Sequence, residues 1–249
     1  MKTGLLAKWT RDPAAPHAVK IAGRLLPVTI RRHARARRLT LRLAPDGSEA
    51  RITIPRWGRV ADALSFAQDR KGWIAAQLAK VPPPCPIGAG AMLPFRGEAV
   101  TIAWDPSHRR TPQLAGSRLL VGGPEDRIAV RSEAWLRAEA LPLLQTDLAF
   151  YCERAGVARP DLKLSSARRR WGSCSGRAAL GQTIRINWRL VMAPNAVRRS
   201  VVAHEVAHLV QFDHSPAFHA LLGRIFDGDI TEADRWLKRD GRGLYALFP

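Results

Sequence analysis

His204-Glu205-Val206-Ala207-His208 constrains this chain more than any other stretch. Two imidazoles four residues apart reach one point when a helix stacks them on the same face. The chain must therefore build a helix with a polar front and an apolar back. Val201, His204, Glu205 and His208 share the front, and Val202, Val206, Leu209 and Val210 fall on the side that packs. Histidines so spaced suit one zinc ion, and the glutamate beside the first suits proton transfer from a metal-bound water. With seven histidines in 249 residues, chance supplies roughly 0.006 such motifs. The competing account is a buried helix whose histidines are satisfied by hydrogen bonds.

A catalytic zinc site needs a third protein ligand and one open position. His214 is the first candidate, with His219 and Glu232 as alternatives. The His204–His214 spacing resembles the metzincin signature, with two departures. Gln211 stands where the turn glycine belongs, and no methionine follows His208.

The rest of the chain reads as α+β: a strand-rich N-terminal half followed by a zincin-like half that carries the motif helix. Residues 1–27 read as a loosely ordered arm, 28–130 as the strand-rich region and 131–249 as the metallopeptidase region. Leu39–Leu43 and Ala50–Ile54 alternate apolar and polar residues around the turn signal Pro45-Asp46-Gly47, which predicts a hairpin. Helical spacing predicts a helix from about Arg59 to Lys80, stopped by the connector Val81–Pro86. Short strands are expected near Glu98–Trp104, Arg118–Val121 and Arg127–Val130. A helix capped by Ser132 is expected to run to about Cys152, with Pro142 kinking or dividing it. Lys163–Ser166 and Gln182–Trp188 read as extended, and the motif helix starts after Pro194 or Asn195 and ends near Gln211. Ser215 and Thr231 read as the N-caps of two further helices. No internal repeat is visible.

Net charge is +19, with 40 basic against 21 acidic residues, a balance that favours polyanions. Basic clusters at Arg31, Arg32, Arg35, Arg37, Arg38 and Arg42, and again at Arg168-Arg169-Arg170, make DNA or RNA a second expected partner beside a protein or peptide substrate. Three cysteines with no CxxC pair argue against a disulfide framework. No apolar run approaches the roughly 20 residues of a membrane span. The expected setting is the cytoplasm.

Four ordered motifs carry a resemblance: Trp171-Gly172-Ser173-Cys174-Ser175, Ile186-Asn187-Trp188-Arg189-Leu190, His204–Leu209 and Asp213-His214-Ser215-Pro216-Ala217-Phe218. Together they resemble the YgjP-like metallopeptidases, relatives of the SprT and Spartan zinc proteases. Arg35–Arg42 and Phe66 with Gly72-Trp73-Ile74 resemble the amino-terminal part of that family. The resemblance covers roughly residues 28–239 and implies His214 as the third zinc ligand. Two positions depart from the family pattern: Asp213 replaces the frequent asparagine, and His219 stands where tryptophan is usual. The resemblance also implies that the Trp171–Ser175 loop and the Ile184–Trp188 strand flank the cleft. Trp171, Asn187, Trp188 and His219 are accordingly the substrate-binding candidates. A packing role for the two tryptophans is the alternative, and Cys174 reads as a small hydrophobe.

The expected reaction is hydrolysis of a peptide bond, with Glu205 as general base and zinc held by His204, His208 and His214. Arg185, Asn187, His219 and Tyr245 are candidates for stabilising the oxyanion. Rival readings are a nucleic-acid-binding protein with a structural or vestigial zinc site, and a zinc hydrolase of non-peptide substrates.

Overall fold

A computed structural model of the chain describes residues 17–44, 47–81, 86–177 and 181–248. The start of the expected arm, the turn residues Pro45 and Asp46, and the connector core 82–85 with Cys85 lie outside the described residues. The chain divides into two units, Met1–Pro83 and Pro84–Pro249. The expected division near residue 130 is corrected. Leu93, Phe95, Val100, Ile102, Leu119 and Val121, read as part of the first half, share one core with the motif helix.

The first unit holds strands β1 (His17–Ile21), β2 (Arg24–Arg32), β3 (Thr40–Leu43) and β4 (Ala50–Ile54), then helices α1 (Val60–Asp69) and α2 (Lys71–Leu78). Strand order is β1-β2-β4-β3, with β2 and β4 parallel and the outer pairs antiparallel. The arm reading fails for residues 17–27, because Ala22 and Gly23 take positive φ (46° and 83°) and turn β1 back on β2. A two-residue turn of that hand suits a twisted hairpin. The expected β3–β4 hairpin is present. The single expected helix is two, interrupted at Arg70 (φ −97°, ψ 14°). The break lets Ala63 and Ala67 of α1 and Ile74 of α2 pack on the same sheet face as Leu26, Ile52 and Ile54.

The second unit opens with β5 (Met92–Phe95), β6 (Glu98–Trp104), β7 (Gln113–Ala115) and β8 (Arg118–Val121). Their order, β5-β6-β8-β7, and their directions repeat those of the first sheet. The β5–β6 turn, Arg96-Gly97, repeats the positive φ of Ala22-Gly23. A faint trace of this repeat is present in the sequence, where a turn glycine precedes Val-Thr-Ile twice, Gly23 before Val28-Thr29-Ile30 and Gly97 before Val100-Thr101-Ile102.

Helix α3 runs from Ile128 to Ala155. The strand expected at Arg127–Val130 is instead a 3-10 turn leading into α3, and Ser132 is buried within the helix rather than capping it. A three-residue apolar run, Ile128-Ala129-Val130, carries too little period to separate strand from helix. Pro142 does not divide α3, and the Thr146 hydroxyl donates to its carbonyl. Next come β9 (Asp161–Ser165), β10 (Gly172–Arg177) and β11 (Gly181–Asn187), in the order β10-β11-β9. Helices α4 (Asn195–Ala207), α5 (Pro216–Ile225), α6 (Ile230–Arg239) and α7 (Gly243–Leu247) complete the chain. Ser215 caps α5 as expected, whereas Asp229 caps α6 by accepting the Thr231 and Glu232 N–H groups. Thr231 is therefore not the cap.

Helix α4 is fixed by apolar packing and by a buried ion pair. Val197, Val202 and Val206 enter the core with Leu144 and Leu148 of α3. Arg198 is buried, and its Nε donates to Asp147 of α3 at 2.7 Å. Arg199 bridges to Asp227 at 2.7 Å. Val210 lies beyond the end of α4 and is exposed.

Candidate active site

His204 projects from the last turn of α4, His208 caps that helix, and His214 returns from the loop before α5. The Nε2 atom of His204 lies 3.2 Å from that of His208 and 3.3 Å from that of His214. Among the described residues these three form a group whose ligand atoms lie within 4.8 Å of one another. His208 Nδ1 lies 2.9 Å from the Gln211 carbonyl, so that nitrogen carries the proton and Nε2 keeps its lone pair.

The spacing suits a shared metal better than three mutually hydrogen-bonded histidines. His204 Nε2 can share one proton with His208, but its second close contact, to His214, is then left without a proper donor–acceptor match. Three lone pairs turned to one cation satisfy all of them. Two nitrogens held tetrahedrally about zinc at their usual bond length lie about 3.3 Å apart, which the His204–His208 and His204–His214 spacings match. Burial, then the neighbouring His208, His214 and His219, push His204 down to about 4, which leaves its ring neutral near neutral pH.

Phe218 is the floor of this group. Its ring centroid lies 5.0, 4.6 and 4.8 Å from those of His204, His208 and His214. The Ser215 cap fixes the start of α5 and hence the Phe218 backbone, and Asp213 accepts the Ser215 N–H. Ser215 holds the Asp213 carboxyl below its usual range.

Glu205 is buried beside the trio and packs against Gly172 of β10, where any Cβ would meet its carboxylate. Burial raises its carboxyl to about 7, opposed by the Arg170 charge and a hydrogen bond from the Cys174 N–H. A cavity of about 220 Å³ opens beside His204 and Glu205, walled by Trp171, Val201, Leu222, Ile230, Asp234 and Leu237.

The other sequence candidates are dispersed. Trp171 lines the cavity, its ring 5.0 Å from that of Tyr245. Asn187 and Trp188 are fully buried, which corrects their reading as substrate-binding residues. Asn187 donates to the Ala167 carbonyl and the Tyr245 hydroxyl, and it accepts from the Arg189 N–H. Trp188 stacks with Arg137 and Arg189. The Asn187–Tyr245 contact also turns both away from an oxyanion role, and Arg185 donates to Ser175. His219 is exposed, its ring 6.5 Å from that of His214, and neither it nor Glu232 joins the donor group. Cys174 is half-buried, and burial, then the Glu205 charge, raise its thiol.

Sequence reasoning missed Phe218 as the floor, Gly172 as the space for Glu205, and Asp234 in the cavity wall. The first two sit inside the Asp213–Phe218 and Trp171–Ser175 motifs, where an aromatic or a glycine beside the chemistry was the available signal. Asp234 had none.

No curated protein and no solved structure matches the chain significantly. A family model described as YgjP-like, metallopeptidase domain, matches residues 37–240. That span contains the three histidines, Glu205, Gly172 and Phe218, and it covers most of the chain; the protein belongs to the YgjP-like metallopeptidase family.

Proposed function

We propose that this metallopeptidase is zinc-dependent, with His204, His208 and His214 as the metal ligands and Glu205 as the proton-transfer group. The observation that carries the reading is the convergence of three imidazole Nε2 atoms beside a buried glutamate. When bound, zinc supplies a Lewis acid that makes water a nucleophile near neutral pH. Glu205 accepts the proton of the attacking water and delivers it to the leaving amine, breaking the peptide bond. The Cys174 N–H and the absence of a side chain at Gly172 hold that carboxylate in place. Among the described residues strand β10 has β11 on one side only, so its free edge can pair with an extended peptide beside Glu205. Glu205→Gln in the zinc-loaded chain tests the role: zinc is retained while peptide hydrolysis falls by about 10²-fold or more. Wild-type turnover in that variant contradicts it.

A second reading, nucleic-acid binding, is supported by the first unit. Met1–Pro83 holds 17 basic against 5 acidic residues, +12 of the chain's +19. Helices α1 and α2 pack on one sheet face, and Lys20, Arg31, Arg42 and Arg51 alternate onto the other. Arg42 and Arg51 stand directly opposite each other in the β3–β4 register, a like-charge pairing that costs stability unless an anion shares it. Glu49 pairs with Arg51, while Arg42 has no ion pair or hydrogen bond among the described residues. This face suits the phosphates of DNA or RNA, independently of the metal site.

No helix among the described residues is long and apolar enough to cross a membrane. A cytoplasmic setting remains our reading, supported by the free Cys152 and Cys174.

A further inference from the structure

The cavity beside Glu205 has a mixed wall. Trp171, Val201, Leu222, Ile230 and Leu237 make most of it apolar, and Asp234 of α6 adds a carboxylate. Asp234 is exposed at the cavity mouth and has no ion pair and no side-chain hydrogen bond among the described residues, and no Lys or Arg lines the cavity. Ser200, also in the wall, is occupied by the Val197 carbonyl at 2.8 Å. Beside Glu205, to which the proposed mechanism gives proton transfer, one further carboxylate is thus available to whatever enters.

We propose that this cavity is a side-chain subsite of the peptidase and that Asp234 selects a lysine or arginine next to the scissile bond. The proposal rests on the peptidase reading above. At about 220 Å³ the space is smaller than a whole-ligand pocket, which begins near roughly 300 Å³, and matches a single side chain. Lysine and arginine carry an apolar stem and a charged tip, so the stem suits the five apolar walls and the tip suits the carboxylate. Glutamate or aspartate in the same space meets two like charges, Asp234 and Glu205. The cavity shares His204 and Glu205 with the hydrolytic site, so the residue it takes is adjacent to the bond being cut.

The test uses the full zinc-loaded chain and three versions of one peptide, with lysine, norleucine or glutamate at a single position beside the cleavage point. Calorimetry with the Glu205→Gln chain reads binding without turnover, and cleavage by the otherwise wild-type chain reads kcat/KM. The lysine peptide should bind and be cleaved about tenfold or more better than the norleucine peptide. Asp234→Asn should remove that difference, and Asp234→Lys should turn the preference to glutamate. Equal binding of lysine and norleucine peptides, or a lysine preference that survives Asp234→Asn, overturns the assignment. Cleavage that persists without the preference removes the subsite and leaves the peptidase. An Asp234-dependent preference in binding with no cleavage of any version keeps the subsite and removes the peptidase.

Discussion

Gly172 and Glu205 are in direct contact: a Cβ added at Gly172 would lie 2.6 Å from the Cγ of Glu205. The edge strand and the motif helix are matched at that point, with one residue giving up its side chain to make room for the other's carboxylate. Gly172→Ala should displace Glu205 while leaving the three histidines in place. The expected outcome is zinc content at the wild-type level with kcat lowered about 10²-fold, the scale of a misplacement of about 1 Å. Unchanged kcat would separate the glycine from the chemistry.

The Asp147–Arg198 pair lies in the core between α3 and α4, with both side chains at least nine-tenths buried. Removing one partner leaves an unpaired buried charge, which typically costs about 3–5 kcal/mol. Asp147→Ala should therefore lower the stability of the second unit by about that amount in urea titration. Asp147→Asn keeps a hydrogen-bond acceptor beside Arg198 and should cost less. A loss under about 1 kcal/mol for Asp147→Ala would show that the pair does not anchor α4.

Phe218 touches all three imidazoles, so its shape sets how closely they converge. Phe218→Leu keeps an apolar core residue but loses the flat ring. Zinc affinity measured by competition with a chromogenic chelator should weaken about tenfold or more, in the range seen when groups behind metal ligands are changed. An unaltered affinity would reduce Phe218 to ordinary packing.

What was legible in the chain follows from the range of each interaction. His204, Glu205 and His208 are bound together by helix period, so the sequence alone places them on one face. Their meeting with His214 needs a loop whose path depends on the Ser215 cap and on Phe218, and the sequence contained both as a motif without its geometry. Asn187 and Trp188 sit in an equally strong motif, yet their role is to lock the end of β11 to Tyr245 and the arginines. A motif records that residues are needed without saying which side of the backbone they serve. Arg198 reads as a surface charge until Asp147, fifty-one positions away, is brought beside it. The β1–β2 hairpin escapes a sequence reading because Ala22 is a poor indicator of positive φ.

The basic sheet face gives a prediction that leaves the metal site untouched. A chain carrying Arg31→Gln and Arg42→Gln should bind a mixed-sequence DNA duplex more weakly in fluorescence anisotropy. The slope of log affinity against log salt should fall by about two, near 0.9 for each phosphate that is no longer neutralised. Zinc content and peptide hydrolysis should not change. An unaltered slope would place any DNA-binding surface elsewhere.

Metal content of the purified full chain, read by mass spectrometry after equilibration with zinc, decides the central claim. The account predicts about one zinc per chain, and much less in His214→Ala at a zinc concentration that saturates the wild type. Full occupancy in His214→Ala, or no zinc in the wild type, would contradict the three-histidine site.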